Sequence, residues 1–369
     1  MMKYRLGEIC DVVSGGTPSR ATAEFWDGGT IPWIKIGNIQ RKYVDEADEY
    51  ITQAGLEGSS AKMLSAGTIL FTIFATLGEV GILTIEACTN QAIAGITIKN
   101  QSDILTDYLY YFLKSQKSCI AALGRGVAQN NINLSILRNF EVPIPDLPMQ
   151  KQIVAILDKT AKVVEVRQQQ LQQLDELVKA RFVELFGDGN HPHIALIDLI
   201  IEGAGLSYGI VQPGDDGTGD MGVLRPVDMV DGKISTASIK YIDRSIGDGF
   251  KKTELYGDEL LITVRGTTGI TALTDIRFNG MNVTRGIAVV RYDRNKINPV
   301  YLNAYLNTDE SQRYIQEHTR GATLQQINLS DLRVQQIMVP PLALQEQMAA
   351  FIEQTDKSKV VVQDEVNGL

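Results

Sequence analysis

Cysteine is scarce: Cys10, Cys88 and Cys119 are the 3 in 369 residues, and no two are closely spaced. That excludes a disulfide framework and a thiolate metal site, and it fits a reducing cytoplasm. Long apolar runs are missing too. Ile194-Ala-Leu-Ile-Asp-Leu-Ile-Ile201 is short and carries a carboxylate, far from the ~20 residues of a membrane span. The opening Met1-Met-Lys-Tyr-Arg-Leu-Gly-Glu has no apolar stretch of the signal-peptide kind. A cytoplasmic location with no membrane partner is therefore expected. Positive charge is also short, with 35 Lys and Arg against 44 Asp and Glu for a net charge of -9. By region, basic and acidic groups number 12 and 15 in 1–146, 6 and 5 in 147–187, 15 and 19 in 188–341, and 2 and 5 in 342–369. No segment is broadly basic, so indiscriminate phosphate binding is excluded. A locally basic groove on an acidic body is still allowed, because the field at a face depends on placement.

Catalytic constellations are absent as well. There is no Gly-x-x-x-x-Gly-Lys-Ser/Thr phosphate loop, and Gly214-Asp-Asp-Gly-Thr-Gly219 is acidic and reads as a turn. Of the 3 histidines, His191 and His193 share a loop without a third ligand, so no metal site is expected. Asp45, Glu46, Asp48 and Glu49 read as solvated turn faces. Asp248-Gly-Phe-Lys-Lys252 with Glu259 has a faint metal-nuclease outline, but the first half of the chain does not share it.

What is present is a packed-protein composition, 44% hydrophobic and 21% charged, at a length that suits two domains. An internal repeat organises it. Arg125-Gly-Val-Ala-Gln-Asn-Asn-Ile-Asn-Leu-Ser-Ile-Leu-Arg138 aligns without gaps on Arg320-Gly-Ala-Thr-Leu-Gln-Gln-Ile-Asn-Leu-Ser-Asp-Leu-Arg333. From 125 to 156, against 320 to 351, there are 13 identities in 32 positions. Fainter matches pair Tyr108-Leu109 with Tyr301-Leu302, Gly95-Ile96 with Gly286-Ile287, Thr76 and Gly78 with Thr267 and Gly269, and Trp33-Ile-Lys35 with Val223-Leu-Arg225. Offsets of 190 to 195 are too long for a solenoid and describe a duplicated domain. Each half shows β-prone runs, such as Ile69–Phe74, Ile93–Ile98 and Leu260–Val264, followed by helical stretches near Asp107–Lys117 and Pro299–Gln316. The expected class is α+β, with two tandem domains of the same fold at 1–146 and 188–341.

Between them, Pro148 to Phe186 has no Gly and no further Pro, which predicts one helix at 147–187 about 58 Å long at ~1.5 Å per residue. Alternating 3- and 4-residue steps pick out Leu157, Thr160, Val164, Arg167, Leu171, Leu174, Val178, Arg181 and Leu185, with Ile153, Ile156 and Phe182 widening the stripe. Such a stripe needs a partner. Its repeat copy within 342–369 supplies Leu344, Met348, Phe351, Ile352, Thr355 and Val362. The two helices are expected to form a long antiparallel coiled coil with the domains at opposite ends.

Polar residues near strand ends and turns, placed alike in both halves, suit recognition of a ligand. In the first half these are Thr17, Ser19, Arg20, Lys35, Asn38 and Thr76, with Arg125, Gln129 and Asn130 in the repeat loop. In the second they are Tyr208, Arg225, Arg265, Thr267 and Thr268, with Arg320 and Gln325 in the equivalent loop. Arginine and lysine bond guanine edges, and Asn and Gln bond adenine, in the major groove of DNA.

Ile132-Asn-Leu-Ser-Ile-Leu-Arg138, followed by Val142-Pro-Ile-Pro-Asp-Leu-Pro-Met-Gln-Lys-Gln152 and the long helix, resembles the specificity (HsdS) subunits of type I restriction–modification enzymes. Leu6-Gly-Glu-Ile9, Gly15-Gly-Thr-Pro18 and Ile31-Pro-Trp-Ile-Lys-Ile-Gly-Asn38 look like the start of a target-recognition domain of that family. The resemblance implies a non-catalytic, sequence-specific DNA-binding subunit with two target-recognition domains, each reading one half of a split, asymmetric sequence in double-stranded DNA. It implies paired helices that act as a ruler and dock two methyltransferase (HsdM) subunits, with motor–nuclease (HsdR) subunits joining for cleavage. S-adenosylmethionine, Mg and ATP would then belong to the partners. The second helix is about a dozen residues shorter than the first, and Leu206 to Gly222 matches the first half poorly, which implies different bases for the two domains. A stand-alone DNA methyltransferase would need a catalytic Asp/Asn-Pro-Pro-Tyr/Phe, to which Asn298-Pro-Val-Tyr301 comes nearest without the second Pro. A protein–protein scaffold with peptide-binding domains is the other alternative.

Overall fold

The computed structural model describes residues 2–124, 131–212, 214, 219–230, 232–322 and 324–368, with backbone only at 121–124. The chain divides into two compact units, residues 1–165 and 166–369, and the boundary falls inside one continuous helix, Leu147–Phe186.

The core of unit 1 is a five-stranded sheet in the order Cys10–Ser14, Ile93–Ile98, Ile69–Thr72, Val80–Leu83, Tyr43–Val44. Its strands alternate between two faces, as a period of 2 requires. Ile69, Phe71, Ala94 and Ile96 face the helices, packing with Leu109, Leu113 and Leu137. Leu70 and Ile93 face the other way, onto Ile34, Leu64 and Ala87 beside a three-stranded sheet. That smaller sheet places Ile31–Ile34 between Glu49–Ile51, to which it is antiparallel, and Cys88–Thr89, to which it is parallel.

Unit 2 repeats the plan. Its main sheet runs Ser207–Tyr208, Ile287–Val290, Leu260–Leu273, Gln325–Gln326. Met221–Leu224 lies between an antiparallel Lys240–Ile242 and a parallel Asn282–Val283. Leu260–Leu273 does the work of two strands of unit 1, since Thr274 N donates to the Glu259 carbonyl (2.8 Å) and its ends therefore meet. A two-stranded ribbon closes each unit, Met2–Arg5 with Glu141–Ile144 and His193–Ala195 with Gln336–Met338.

The repeated sequence makes repeated bonds. Gln150 and Gln345, both 0% exposed, each anchor a long helix to its unit. The Gln150 amide accepts from Leu105 N (2.9 Å) and donates to the Asp103 and Pro145 carbonyls (2.8 and 2.9 Å). Gln345 accepts from Asn298 N (2.8 Å) and donates to the Pro340 carbonyl (2.7 Å). The arginines that end Asn-Leu-Ser-x-Leu-Arg are clamps. Arg138 Nη2 donates to the Val12 carbonyl (2.6 Å), and Arg333 Nη2 donates to the Leu206 carbonyl (2.9 Å). The Tyr108 and Tyr301 hydroxyls donate to the Pro143 and Met338 carbonyls (2.5 and 2.9 Å).

Two expectations change in detail. The stretch expected to be helical over Pro299–Gln316 is two helices, Pro299–Leu306 and Asp309–His318. Asn307 turns its amide back to the Asn303 carbonyl (2.7 Å), and the Thr308 side chain accepts from Ser311 N to start the second helix. The alignment of Gly95 with Gly286 slips by three residues. Thr72 pairs with Ile93 and its counterpart Thr263 with Ile287, so Ile93, not Ile96, matches Ile287.

Within unit 2 the end of the central helix pairs with the last helix, Leu342–Asn367. Arg167 meets Glu365 (2.7 Å), Asp175 meets Lys359 (2.7 Å), and the Arg181 guanidinium lies 5.8 Å from the centre of the Phe351 ring. The numbering rises on one helix as it falls on the other, so the pair is antiparallel. Along the central helix Leu157, Val164, Leu171, Leu174, Val178 and Leu185 are all half-buried, as are Phe351 and Ile352 opposite, and Met348 is buried. Phe182 and Phe186 fasten this helix onto Tyr301 (6.0 and 5.3 Å between ring centres). No helix among the described residues is long and apolar enough to cross a membrane.

Candidate nucleic-acid interface

Strand pairing brings distant segments to one end of each main sheet. In unit 1, Ser14 lies opposite Ala94 and Thr72 opposite Ile93. The turn after Ser14, the residues before Ile93 and the hairpin tip after Thr72 therefore share that end. Ile132 N donates to the Ile73 carbonyl (3.0 Å) and brings the repeat loop there as well. Unit 2 does the same with Tyr208, the residues before Ile287, the tip at 265–269 and Gln325–Gln326, since Arg265 pairs with Gln326.

The hairpin tips are closely related. Gly266 and Gly269 have φ of +89° and +87°, and their counterparts Ala75 and Gly78 have +60° and +82°. Ala75 is the one non-glycine residue with positive φ among the described residues, a conformation that costs an L side chain about 1–2 kcal/mol. At the base of the tips the Thr72 hydroxyl accepts from Glu79 N (2.8 Å) and the Thr263 hydroxyl from Ile270 N (2.9 Å). Thr76 and Thr267 are exposed at equal places, and Phe74, 39% exposed, stands where unit 2 has Arg265.

The glycines before the smaller sheet permit a close approach. A Cβ on Gly15 would lie 2.2 Å from the Asn90 carbonyl, and one on Gly209 would lie 2.0 Å from the Val283 carbonyl. The loop beyond Gly15 is held by two indoles. Trp33 Nε1 donates to the Gly16 carbonyl (2.9 Å) and Trp26 Nε1 to the Ser19 carbonyl (3.0 Å). Arg20 stacks its guanidinium 3.6 Å from the centre of the Trp26 ring, and Arg20 and Lys35 both reach Glu49. Lys35 is the larger influence and Arg20 adds to it, holding the Glu49 carboxyl below its usual range against the opposing effect of burial. The Thr17 hydroxyl donates to the Gln91 side-chain oxygen.

The structure thus gathers Thr17, Ser19, Arg20 and Lys35 into one exposed or half-buried patch. The side-chain oxygen of Asn38 caps Lys35 N (2.9 Å). The unit 2 counterpart repeats this, with Asp228 accepting from Arg225 N (2.8 Å) and also binding the Arg225 guanidinium (3.0 and 3.1 Å). Arg225 is therefore committed within its own domain. Arg320 lies 3.7 Å from Asp331. Thr268 shares a hydroxyl–hydroxyl bond with Thr319 (3.0 Å), and the Tyr208 hydroxyl accepts from Leu329 N (3.4 Å). Gln325 is exposed beside the tip, while Arg125, Gln129 and Asn130 lie outside the described residues.

Sequence reasoning missed Gln91, Trp26, Phe74 and Arg285. A signal existed for Arg285 once the strands were in register: Cys88-Thr-Asn-Gln-Ala92 aligns on Asn282-Val-Thr-Arg-Gly286. Arg285 is exposed, and among the described residues neither its guanidinium nor that of Arg265 takes a partner. No group of 3 or more His, Cys, Asp or Glu able to hold a metal occurs among the described residues.

Known proteins share this architecture. A family model described as the type I restriction modification DNA specificity domain matches residues 1–176 and 220–365. The specificity subunit of the type I restriction enzyme EcoR124I/EcoR124II of Escherichia coli is 33% identical over 160 residues, which cover 42% of this chain and 39% of that subunit, less than half its length. The MjaIX specificity subunit of Methanocaldococcus jannaschii is 22% identical over 376 residues, covering 95% of this chain and 85% of that one. The crystal structure of a type I restriction–modification S subunit from M. genitalium superposes with a TM-score of 0.57 at 15% identity, over 100% of this chain and 92% of that chain, and shares its fold.

Proposed function

From membership in the type I restriction–modification DNA specificity family, to which this chain belongs, we propose that each unit reads one half of a split, asymmetric sequence in double-stranded DNA. The observation that carries this reading is the doubled sheet end: one framework, built twice, presents different side chains at its tips. Phe74 stands in place of Arg265 and Gln91 in place of Arg285. Two identical readers would favour a repeated or palindromic site, whereas two unlike readers on one chain favour an asymmetric one.

With a net charge of -9 over the whole chain, recognition would rest on where cationic groups are placed and not on a broadly basic surface. Polar and cationic groups at the strand ends supply contacts to base edges, and their placement on sheets packed on both faces keeps them in fixed geometry. Methyl transfer, ATP use and strand cleavage would be carried out by partners. Two methyltransferase subunits would dock on the helix pair, with motor–nuclease subunits joining them. S-adenosylmethionine, Mg and ATP would be bound by those chains.

Expression of this chain with cognate methyltransferase subunits in a host without other adenine methylation, followed by methylome sequencing, tests the reading. The expected result is one motif of two unlike halves separated by unspecified bases. A single uninterrupted motif would overturn the two-reader reading. Methylation by this chain alone would make it a methyltransferase, and no motif, with no binding to any duplex, would favour a protein scaffold.

A further inference from the structure

The arginines at the reading end of unit 2 are not equivalent. Arg225 is bound by Asp228, Arg320 faces Asp331, and Arg333 clamps the Leu206 carbonyl. Arg265 and Arg285 are different. Val264 N and Arg265 N both point at the Gly286 carbonyl (2.8 and 3.3 Å), so Arg265 lies against the residue that follows Arg285. Arg285 N donates to the Ile210 carbonyl (2.9 Å), which fixes the backbone on its other side. Two guanidinium groups without partners among the described residues therefore sit on adjoining backbone segments at the sheet end. Among the described residues, neither has an internal ion pair to break before it meets a ligand.

The corresponding position of unit 1 follows from matched bonds. Ile73 N donates to the Ala92 carbonyl (2.8 Å) as Val264 N does to Gly286. Ile93 N donates to the Asn90 carbonyl (3.2 Å) as Ile287 N does to Thr284 (3.0 Å). Gln91 therefore occupies the place of Arg285. The Thr17 hydroxyl donates to the Gln91 side-chain oxygen, which fixes the amide while leaving that oxygen a second lone pair and the nitrogen both of its donors.

We propose that Arg285, with Arg265 beside it, reads guanine in the half-site of unit 2, and that Gln91 reads adenine at the corresponding place in the half-site of unit 1. This rests on the DNA-reading function above. The guanidinium fork offers two parallel donors to the O6 and N7 acceptors of guanine, while an amide offers the donor and acceptor that match N7 and N6 of adenine. A phosphate contact by the same arginines would lend affinity without preference.

The test uses this chain assembled with its methyltransferase partners and a duplex library randomised across both halves. The wild-type complex is expected to select guanine at a defined position of one half. Arg285→Ala should reduce that preference about 5- to 150-fold at this position and leave the other half unchanged. Arg285→Gln should move the preference towards adenine, and Gln91→Arg, in the other unit, should bring guanine into the other half. The Gln91→Arg arm decides the matter even where the Arg285 variants fail to assemble. Uniform weakening across all sequences, with a salt slope smaller by about one, would make Arg285 a phosphate contact and overturn the proposal. So would a unit 2 half-site without guanine, or a Gln91→Arg complex with unaltered preference. Selection of a two-part site that these variants leave unchanged would sink this inference alone, whereas no selection by the wild type would sink the DNA-reading function with it.

Discussion

Gln150 and Gln345 show how one side chain type serves two purposes within three positions. In each Gln-x-Gln the first glutamine is buried and the second, Gln152 or Gln347, is exposed. The buried amide satisfies a backbone N–H and at least one carbonyl at the helix start, groups that otherwise go unpaired. Gln345→Ala leaves Asn298 N and the Pro340 carbonyl without their partner, and should destabilise unit 2 by roughly 2–4 kcal/mol. A lowered urea midpoint, with no change for Gln347→Ala, is the expected outcome. The repeated Gln-x-Gln was plain in the sequence, but its division into anchor and surface was not, because the N–H groups of Leu105 and Asn298 come from segments 45 and 47 residues away. The arginines were harder still. Arg138, Arg225 and Arg333 each find internal acceptors that the sequence does not reveal, and Arg285 was hidden by a three-residue slip in the repeat alignment.

At the scale of elements the long helices were the most legible feature. A 3- and 4-residue alternation sustained over four heptads, from Leu157 to Leu185, has few solutions other than a packed stripe. Leu157, Thr160, Val164, Arg167, Leu171, Leu174, Val178, Arg181 and Leu185 are all half-buried, as are Ile153, Val154, Gln170 and Phe182. From Arg167 to Arg181 the central helix advances fourteen residues while its partner retreats fourteen, from Glu365 to Phe351. A charge on the stripe should therefore act on a known stretch of the other helix. Leu171→Asp or Leu174→Asp should cost roughly 2–3 kcal/mol and speed hydrogen exchange across 342–367. Leu177→Asp, at a position already 49% exposed, should change stability by no more than about 0.5 kcal/mol. Strands were less legible, because Leu260–Leu273 doubles back through Gly266 and Gly269 and carries no turn sequence of the usual hairpin kind.

For the molecule as a whole the duplication decides what can be exchanged. Each unit carries its own sheets, clamp, anchor and hairpin tip, and the core of each main sheet is filled from within its own unit. Replacing residues 188–341 by the corresponding part of a relative should change one half of the methylated motif and preserve the other, read by methylome sequencing. Change in both halves would show that the two reading ends are coupled. The duplicated order of elements was visible from 13 identities in 32 positions. The reading end was not, because strand ends far apart in the chain become neighbours only once the register is known.

Ala75 and Gly266 share a bend, Gln150 and Gln345 share a socket, and none of these four belongs to the side chains that differ most between the tips, Phe74 against Arg265 and Gln91 against Arg285. Grammar and vocabulary are thus kept apart. If the sheet ends read DNA, a new word would be written at a handful of surface positions while every joint that holds the sentence together stays as it was.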